Sequence, residues 1–318
     1  MKWESTSAVI RPDLQAVAQE FLEESFLSRF VGRLVAPLYS QGEASGEWPI
    51  IRRGSARKRT DDSYTAAAGF KRITTDVGQG SFKTEHHGIE HPMAYRDIKK
   101  FRSLFDAEAA AIRRCLIQVM LNHEYLAAAL YAASGATNHN VATAWTTVAT
   151  AAPLTDIKTG LNALQDVCGA GPEDVSLIIP RVDFDELLRV TEIAAKTLYT
   201  YPGIQPGYLK PQQIANMLGV KRVIVCSTSV DTAEEGVTES LSQLWTGGVM
   251  YLAVLPDDEA DMESLAAART VVWDQYAFPQ TESYQNLDHD VWVPRVRADY
   301  DVLLTAATDL AIYKITNT

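Results

Sequence analysis

The sequence has few of the features by which enzymes and metalloproteins are recognised. It holds only three cysteines in 318 residues, and Cys115, Cys168 and Cys226 lie far apart, without the paired spacing of a zinc site. No Walker-type phosphate loop or Gly-x-Ser-x-Gly elbow occurs, and the GAG of 169–171 follows a predicted helix, where a dinucleotide fingerprint follows a strand. We therefore expect buried thiols in a reducing compartment, no metal and no cofactor.

Basic charge and long apolar runs are also scarce. The chain has 29 Lys and Arg against 40 Asp and Glu, a net charge of -11, which argues against a dedicated nucleic-acid binder. No stretch reaches the roughly 18 apolar residues that cross a bilayer, and residues 1–9 (MKWESTSAV) lack the apolar core of a signal peptide. We expect a soluble protein that starts in the cytoplasm and does not contact a membrane.

Histidines are few, and the one group of them lies at 85–91 (EHHGIEH). The local pattern is extended and Pro92 follows, so the helical HExxH geometry of a zinc protease is not available. A solvated loop is the interpretation favoured over a metal site.

Serine chemistry has one candidate location. Ser227 and Ser229 follow a predicted buried strand, and Asp231 is close in sequence. No histidine can be placed beside them, as a catalytic triad requires. We predict no catalytic residue, and keep a soluble α/β hydrolytic enzyme working near Ser227 as an alternative of another class.

What the chain does have is a clear order of segments. Their predicted boundaries are an N-terminal arm at 1–45, an extended loop at 46–93, a region with a long helix at 94–150, an α/β lobe at 151–282 and returning strands at 283–318. The helical pattern at 12–30 is equally consistent with an ordinary first helix of the core. The pattern predicts an α+β protein.

The extended loop has no apolar face of its own, and an isolated hairpin of this kind is marginal in water. Its strands are predicted at 47–53 and 70–90, the second interrupted at Gly78 and Gly80. A partner surface on another copy of the chain would explain why it is retained. A solvated tip is the default for its basic run, and ion pairing between subunits is the alternative, since the rest of the chain is acidic. The candidate contact residues are Arg52, Arg53, Arg57, Lys58, Arg59, Asp61, Asp62, Tyr64 and Phe70.

The long helix is predicted from Asp97 to Ala133, with apolar residues at steps of three and four. Asp97 is the expected N-cap and Gly135 the expected stop. Such a helix would be about 50 Å long, a spine that other elements cross. His123 falls on its apolar stripe, where a packed histidine is expected.

The lobe alternates helices and strands. A helix capped by Thr155 and ended by Gly169 precedes the apolar strand VSLII. The other predicted elements are helices at 181–198 and 212–218, strands at 220–226 and 250–255, and strand patterns between 291 and 315.

Four stretches carry a resemblance to a known family. LNHEYLAAAL (121–130) resembles the end of its spine helix, and the run from 154 to 188 resembles its helix–strand–helix entry into the axial lobe. QIANMLGVKRVIV (213–225) resembles the next helix–strand step, and LWTGGVMYLAVLPDD (244–258) resembles the strand that follows. The family is the major capsid proteins of tailed bacteriophages, which have the Hong Kong 97 fold. The resemblance covers nearly the whole chain.

That resemblance implies self-assembly into pentamers and hexamers that form an icosahedral shell around packaged double-stranded DNA, held without sequence-specific binding. It implies an N-terminal arm, an E-loop hairpin, a peripheral (P) domain with the spine helix and an axial (A) domain. The expected location is the virion, after assembly in the host cytoplasm. Expected partners are a separate scaffolding protein, a portal and a decoration protein. An encapsulin-like nanocompartment shell is the alternative within the same fold.

Some relatives crosslink a loop lysine to an asparagine of a neighbour. Lys71 and Lys83 are candidates for the lysine, but no asparagine or assisting glutamate can be matched. We therefore do not predict the bond.

Overall fold

The structure is a computed structural model, and α-helices alternate with β-strands along most of it. It describes residues 9–23, 30–51, 77–101, 106–234, 236–256, 265–275, 278–287, 289–305 and 311–317. The helices of these residues are α1 (Pro12–Glu23), α2 (Gly32–Val35), α3 (Tyr95–Phe101), α4 (Ala107–Ala132), α5 (Pro153–Cys168), α6 (Arg181–Arg189), α7 (Thr191–Thr200) and α8 (Pro211–Leu218). The strands are β1 (Val9–Ile10), β2 (Leu38–Gln41), β3 (Ser45–Ile51), β4 (Val77–Lys83), β5 (Glu85–Glu90), β6 (Met93–Ala94), β7 (Thr137–Asn140), β8 (Val175–Pro180), β9 (Arg222–Cys226), β10 (Ser229–Asp231), β11 (Leu241–Gln243), β12 (Val249–Val254), β13 (Ala268–Trp273), β14 (Gln280–Asn286), β15 (Val291–Leu304) and β16 (Ile312–Thr316).

The long strand β15 organises a seven-stranded sheet. Its Arg297 pairs with β14 on one side and with β5 on the other, and its Tyr300 pairs with β13 and again with β5. Strands β13 and β14 therefore follow each other along one edge of β15, and β5 and β6 follow each other along the opposite edge. Strand β1 extends the sheet beyond β14, and β2 extends it beyond β13.

Helices α1 and α4 pack on one face of this sheet. A strand exposes alternate residues on its two faces, so Val296, Ala298 and Tyr300 of β15 share a side, and all three are buried there. They form one core with residues of β13 and of the two helices: Leu14, Ala18, Ile112, Cys115, Leu116, Val119 and Val272.

A five-stranded sheet in the order β7-β16-β12-β8-β9 forms the second core. Every residue of β8 is buried, as expected for a strand covered on both faces. Helix α5 approaches the sheet closely at Gly160, where an added Cβ would lie 2.5 Å from a methyl group of Leu252. The two cores are joined by α4, whose first half lies in one and whose Ala127 and Tyr131 lie in the other.

The extended loop leaves the seven-stranded sheet as a two-stranded stem of β3 and β4. The stem has a small buried face after all, because Trp48 and Phe82 pack on Val271. The predicted breaks at Gly78 and Gly80 are wrong, because both residues lie within β4. At Gly80, an added Cβ would stand 2.4 Å from the Trp48 ring. The returning strand is also two strands, since β4 pairs with β3 while β5 pairs with β15.

Three helix boundaries differ from the prediction. The spine helix α4 begins after Asp106, whose carboxylate accepts the backbone N–H groups of Glu108 and Ala109, and Asp97 lies inside the separate α3. With 26 residues, α4 is about 39 Å long. The helix predicted at 181–198 divides at Val190, whose backbone is extended, and α5 begins at Pro153, so Thr155 is not its cap.

Candidate functional site

Two adjacent polar side chains of α4, His123 and Glu124, are fully buried where the two cores meet. His123 faces the seven-stranded sheet, with its Nε2 2.8 Å from the hydroxyl of Thr270. Glu124 faces the second core and accepts the indole N–H of Trp245 at 2.9 Å. It also accepts the backbone N–H of Val31 at 3.1 Å, so this pair connects both cores to the start of α2, within the predicted arm.

The hydrogen bonds define the tautomer of His123. Thr270 donates its hydroxyl proton to the carbonyl of Ala36 at 2.9 Å, so Nε2 of His123 must donate to Thr270. Nδ1 then carries no proton, and no described group donates to it. Burial lowers the pKa of His123 to about 4, helped by the charge of Arg33. The predicted packed histidine is confirmed: it is a neutral structural group.

Glu124 is held by several donors at once. Burial raises the pKa of its carboxyl group, while hydrogen bonds from Thr228, Trp245 and the backbone of Val31 and Gly32 act in the opposite direction. A buried carboxylate is tolerated only where donors surround it. Glu124 therefore links α4 to α2 and to the lobe through its hydrogen bonds.

The contact residues predicted from the sequence lie outside the described residues. All of them fall within 52–76, which begins directly after β3 and ends directly before β4. They stay predictions, and they are Arg52, Arg53, Arg57, Lys58, Arg59, Asp61, Asp62, Tyr64 and Phe70.

A surface that the sequence analysis missed lies at the end of α7 and the turn after it. Leu198, Tyr199 and Tyr208 are 66, 90 and 78% exposed. Exposed large apolar side chains that are close together mark interaction sites more often than isolated ones do. Aromatic residues within the proline- and glycine-rich run 199–208 (YTYPGIQPGY) were the available signal.

The residues that were considered for metal binding and for serine chemistry have structural roles. In β5, His86 contacts Asp299 and His87 stacks on Tyr300. The extended pattern is therefore confirmed for Glu85–Glu90, but the solvated loop expected there is wrong, because β5 is a strand paired with β15. The carboxylate of Asp231 accepts two backbone N–H groups of its own hairpin, and these bonds lower its pKa. Within the described ranges no cluster of three His, Cys, Asp or Glu side chains is arranged to hold a metal ion.

Cys115, Cys168 and Cys226 are buried thiols, as expected. Burial raises the pKa of Cys115 to about 11, which keeps its thiol protonated and unreactive. Of the helices that the structure describes, not one combines the length and the apolarity needed to cross a membrane.

No protein-family model matches the chain, and no curated protein is similar to it in sequence. Solved structures share its fold over almost its whole length. A phage-related protein from Bordetella bronchiseptica RB50 has a TM-score of 0.71 at 16% identity, with 98% of both chains covered. The virus-like particle from Pyrococcus furiosus has a TM-score of 0.57 at 12% identity, with 96% of this chain and 98% of that chain covered.

Capsid structures are among these neighbours. The capsid of cyanophage P-SCSP1u has a TM-score of 0.55 at 11% identity and covers 89% of this chain and 86% of that chain. The mature capsid of bacteriophage PhiM1 has a TM-score of 0.56 at 10% identity. The chain therefore has an α+β fold shared with subunits of phage capsids and virus-like particles. The resemblance predicted from the sequence is confirmed at the level of the fold.

Proposed function

We propose that this chain is a major capsid protein, whose copies form pentamers and hexamers and close an icosahedral shell around packaged double-stranded DNA. The observation that carries the proposal is the shared fold, which extends over 89 to 98% of this chain in the neighbours named above. The role is structural, and we assign no catalytic step to the chain.

The proposed parts of the subunit follow the segment boundaries expected from the sequence. The arm is 1–45, the E-loop is 46–93, the P domain includes 94–150, and the A domain is 151–282. The last segment, 283–318, was expected to return to the P domain. Its β15 lies in the seven-stranded sheet, while β16 joins the sheet of the A domain.

The stem of the E-loop supports a role in contacts between copies. Trp48 and Phe82 anchor the base of the stem on Val271, so the segment that continues beyond Ile51 starts from a fixed point. An anchored hairpin with a basic tip can reach across to an acidic neighbour with little added mass. In a closed symmetric particle each weak contact is repeated many times, and together these contacts make the particle stable.

Partners and location follow from the same proposal. The subunit would assemble in the host cytoplasm with a separate scaffolding protein and a portal, and would end in the virion, where a decoration protein is a further candidate partner. The excess of acidic over basic residues suits a wall that encloses DNA without sequence-specific binding.

A nanocompartment shell is the second candidate, favoured by the likeness to the virus-like particle from Pyrococcus furiosus. The contents of purified particles separate the two. A capsid takes up DNA when the packaging proteins are present, whereas a nanocompartment contains a protein cargo.

Electron microscopy of the overexpressed protein, alone and with a co-encoded scaffolding protein, tests the proposal. Closed shells are expected. Deletion of residues 53–69 should leave the subunit folded by circular dichroism and abolish shells, because the hairpin would no longer reach a neighbour. A Gly–Ser replacement of equal length is the matched control that separates reach from side-chain contacts. Normal shells from the deletion variant would contradict the role of the loop.

A further inference from the structure

A charged groove lies on the face of the seven-stranded sheet opposite α1 and α4. Alternation along β15 places Arg295, Arg297 and Asp299 on that face, since Val296, Ala298 and Tyr300 point into the core. Each pairs with a residue of β5: Arg295 with Glu90, Arg297 with Gly88 and Asp299 with His86.

The groove has a volume of about 300 Å³ and follows the line between β5 and β15. Gly88 keeps it open, because glycine has no side chain at the point where β5 passes Arg297. A Cβ built at Gly88 would meet only ordinary contacts, 3.5 Å from the Cβ of Arg297. A larger residue at this position would therefore fill the groove without disturbing the sheet.

Asp299 lies in this groove and is only 3% exposed. Its Oδ1 is 2.8 Å from Nδ1 of His86, and its Oδ2 is buried without a hydrogen-bond partner. A buried carboxylate oxygen with no donor costs free energy that an arriving donor would recover. This atom therefore points to a ligand that brings an N–H group, and a positive charge would make the bond stronger.

The two arginines of the groove do not supply that donor. Arg295 donates its Nε to Glu282 at 2.9 Å, and Nε of Arg297 lies 3.5 Å from the other oxygen of the same carboxylate. One glutamate thus engages both guanidinium groups. Glu282 does not line the groove, but its charge offsets theirs, so the two carboxylates that do line it, Glu90 and Asp299, favour a cation.

We propose that this groove receives a basic side chain of segment 52–59 from a neighbouring copy of the chain, an inference that rests on the proposed shell function. That segment holds Arg52, Arg53, Arg57, Lys58 and Arg59. A guanidinium group suits the site best, because its planar fork can bind both oxygens of a carboxylate.

The position of the stem favours a neighbour over the same copy. The backbone N–H of Lys83 contacts Asp301 at 3.1 Å, and the Trp48–Phe82 cluster packs against Leu303. Along β15, these contacts lie beyond Asp299 on the side away from the groove. Seven residues of extended strand add about 20 Å between the base of the stem and Ile51, so the basic segment begins well away from its own groove.

A charge exchange between two chains tests the inference. One variant carries Asp299→Arg, and the other carries Arg57→Glu, Lys58→Glu and Arg59→Glu. We expect each alone to need at least about tenfold more protein than the wild type to form shells, the loss of one charged contact worth about 1.4 kcal/mol. A chain that carries all four substitutions should assemble as the wild type does, since its groove then meets a neighbour's loop of opposite charge. In an equimolar mixture of that chain with the wild type, mixed particles should form poorly, since grooves and loops of like charge then meet.

Further variants keep the test decisive if Asp299→Arg disturbs folding. Gly88→Leu fills the groove without changing its charge and should raise the assembly threshold in the same way. Glu173→Lys, an exposed reversal in a turn before β8, is the matched control and should leave the threshold unchanged.

Two outcomes would overturn the inference. Wild-type assembly by Gly88→Leu and by folded Asp299→Arg would show that the groove is not used. Mixed particles of the wild type and the fourfold variant that form as readily as particles of the wild type alone would place the contact within one copy, because neither chain would then depend on the charge of its neighbour. Absence of closed particles from the wild type would instead remove the proposed function.

Discussion

The approach of α2 to the spine helix depends on one residue, Gly32. A Cβ there would lie 2.8 Å from Nδ1 of His123 and 3.1 Å from the Cα of Glu124. Alanine normally stabilises a helix relative to glycine by up to about 1 kcal/mol, but here the neighbours are a buried ring and the backbone. We expect Gly32→Ala to lower the free energy of unfolding by about 1–3 kcal/mol in urea titrations.

Gly42 is the matched control for that substitution. A Cβ at Gly42 would meet nothing within 4 Å. The free energy of unfolding of Gly42→Ala should stay within about 0.5 kcal/mol of the wild type. An equally stable Gly32→Ala would show that α2 can move away from His123.

The acid stability of the subunit should depend on His123. Its pKa falls from 6.5 to about 4 on burial, so the folded state takes up its proton at lower pH than the unfolded state. The neutral ring is favourable above pH 6.5, and stability is lost as the pH falls from there to about 4. At about 1.4 kcal/mol for each tenfold change in proton affinity, the loss is on the order of 3 kcal/mol.

Urea titrations between pH 7.5 and 4.5, compared with His123→Gln, isolate this contribution. Other acidic groups, Glu124 among them, titrate in both proteins and cancel in the difference. The advantage of the wild type over the variant should shrink steadily below pH 6.5. A pH-independent difference would mean that the pKa of His123 is the same in the folded and the unfolded state.

At the scale of elements, the spine helix begins at a different residue from the one predicted from the sequence. Asp106 accepts two backbone N–H groups of α4, whereas Asp97 is an exposed residue of α3. Asp106→Ala should therefore cost about 1 kcal/mol in thermal or urea unfolding. Asp97→Ala, the matched control, should change the free energy of unfolding by less than about 0.5 kcal/mol. A larger loss of stability from Asp97→Ala than from Asp106→Ala would instead support the single helix predicted from Asp97 to Ala133.

Elements with strong periodicity were predictable from the sequence. Helix α5 ends at Gly169, whose φ of 68° is left-handed, and the apolar runs of β8 and β12 are buried strands. These elements carry their own caps or their own apolar pattern, so local sequence determines them.

Strand β14 (QTESYQN) could not be predicted in this way, because its buried residues are polar. Thr281 is bonded to the amide of Gln15 in α1, and Glu282 is paired with Arg295 and Arg297 of β15. These polar side chains can be buried because they form hydrogen bonds and ion pairs with residues distant in sequence. A local sequence pattern gives no information about such partners. The groove beside Asp299 was missed for the same reason.

At the scale of the whole molecule, the described residues form two large sheets joined by the spine helix α4, together with two small two-stranded sheets. The cores account for the fold, since they bury most of the large apolar side chains. The patch of Leu198, Tyr199 and Tyr208 contributes little to them. In a shell, such a patch would be covered by a neighbouring copy.

Replacing Tyr199 and Tyr208 by Ser tests this view of the patch. Because these side chains are 90 and 78% exposed, the free energy of unfolding should change by less than about 0.5 kcal/mol. Assembly followed by sedimentation velocity should need at least about tenfold more protein, since buried tyrosines often dominate interface energies. The matched control is Tyr125→Ser on α4, a residue that is also exposed but lies apart from the patch.

The two variants together distinguish a specific contact from a general loss of apolar surface. If the patch lies between copies, Tyr125→Ser assembles like the wild type while the double substitution does not, with both proteins equally stable as subunits. If both assemble normally, the patch faces solvent in the particle.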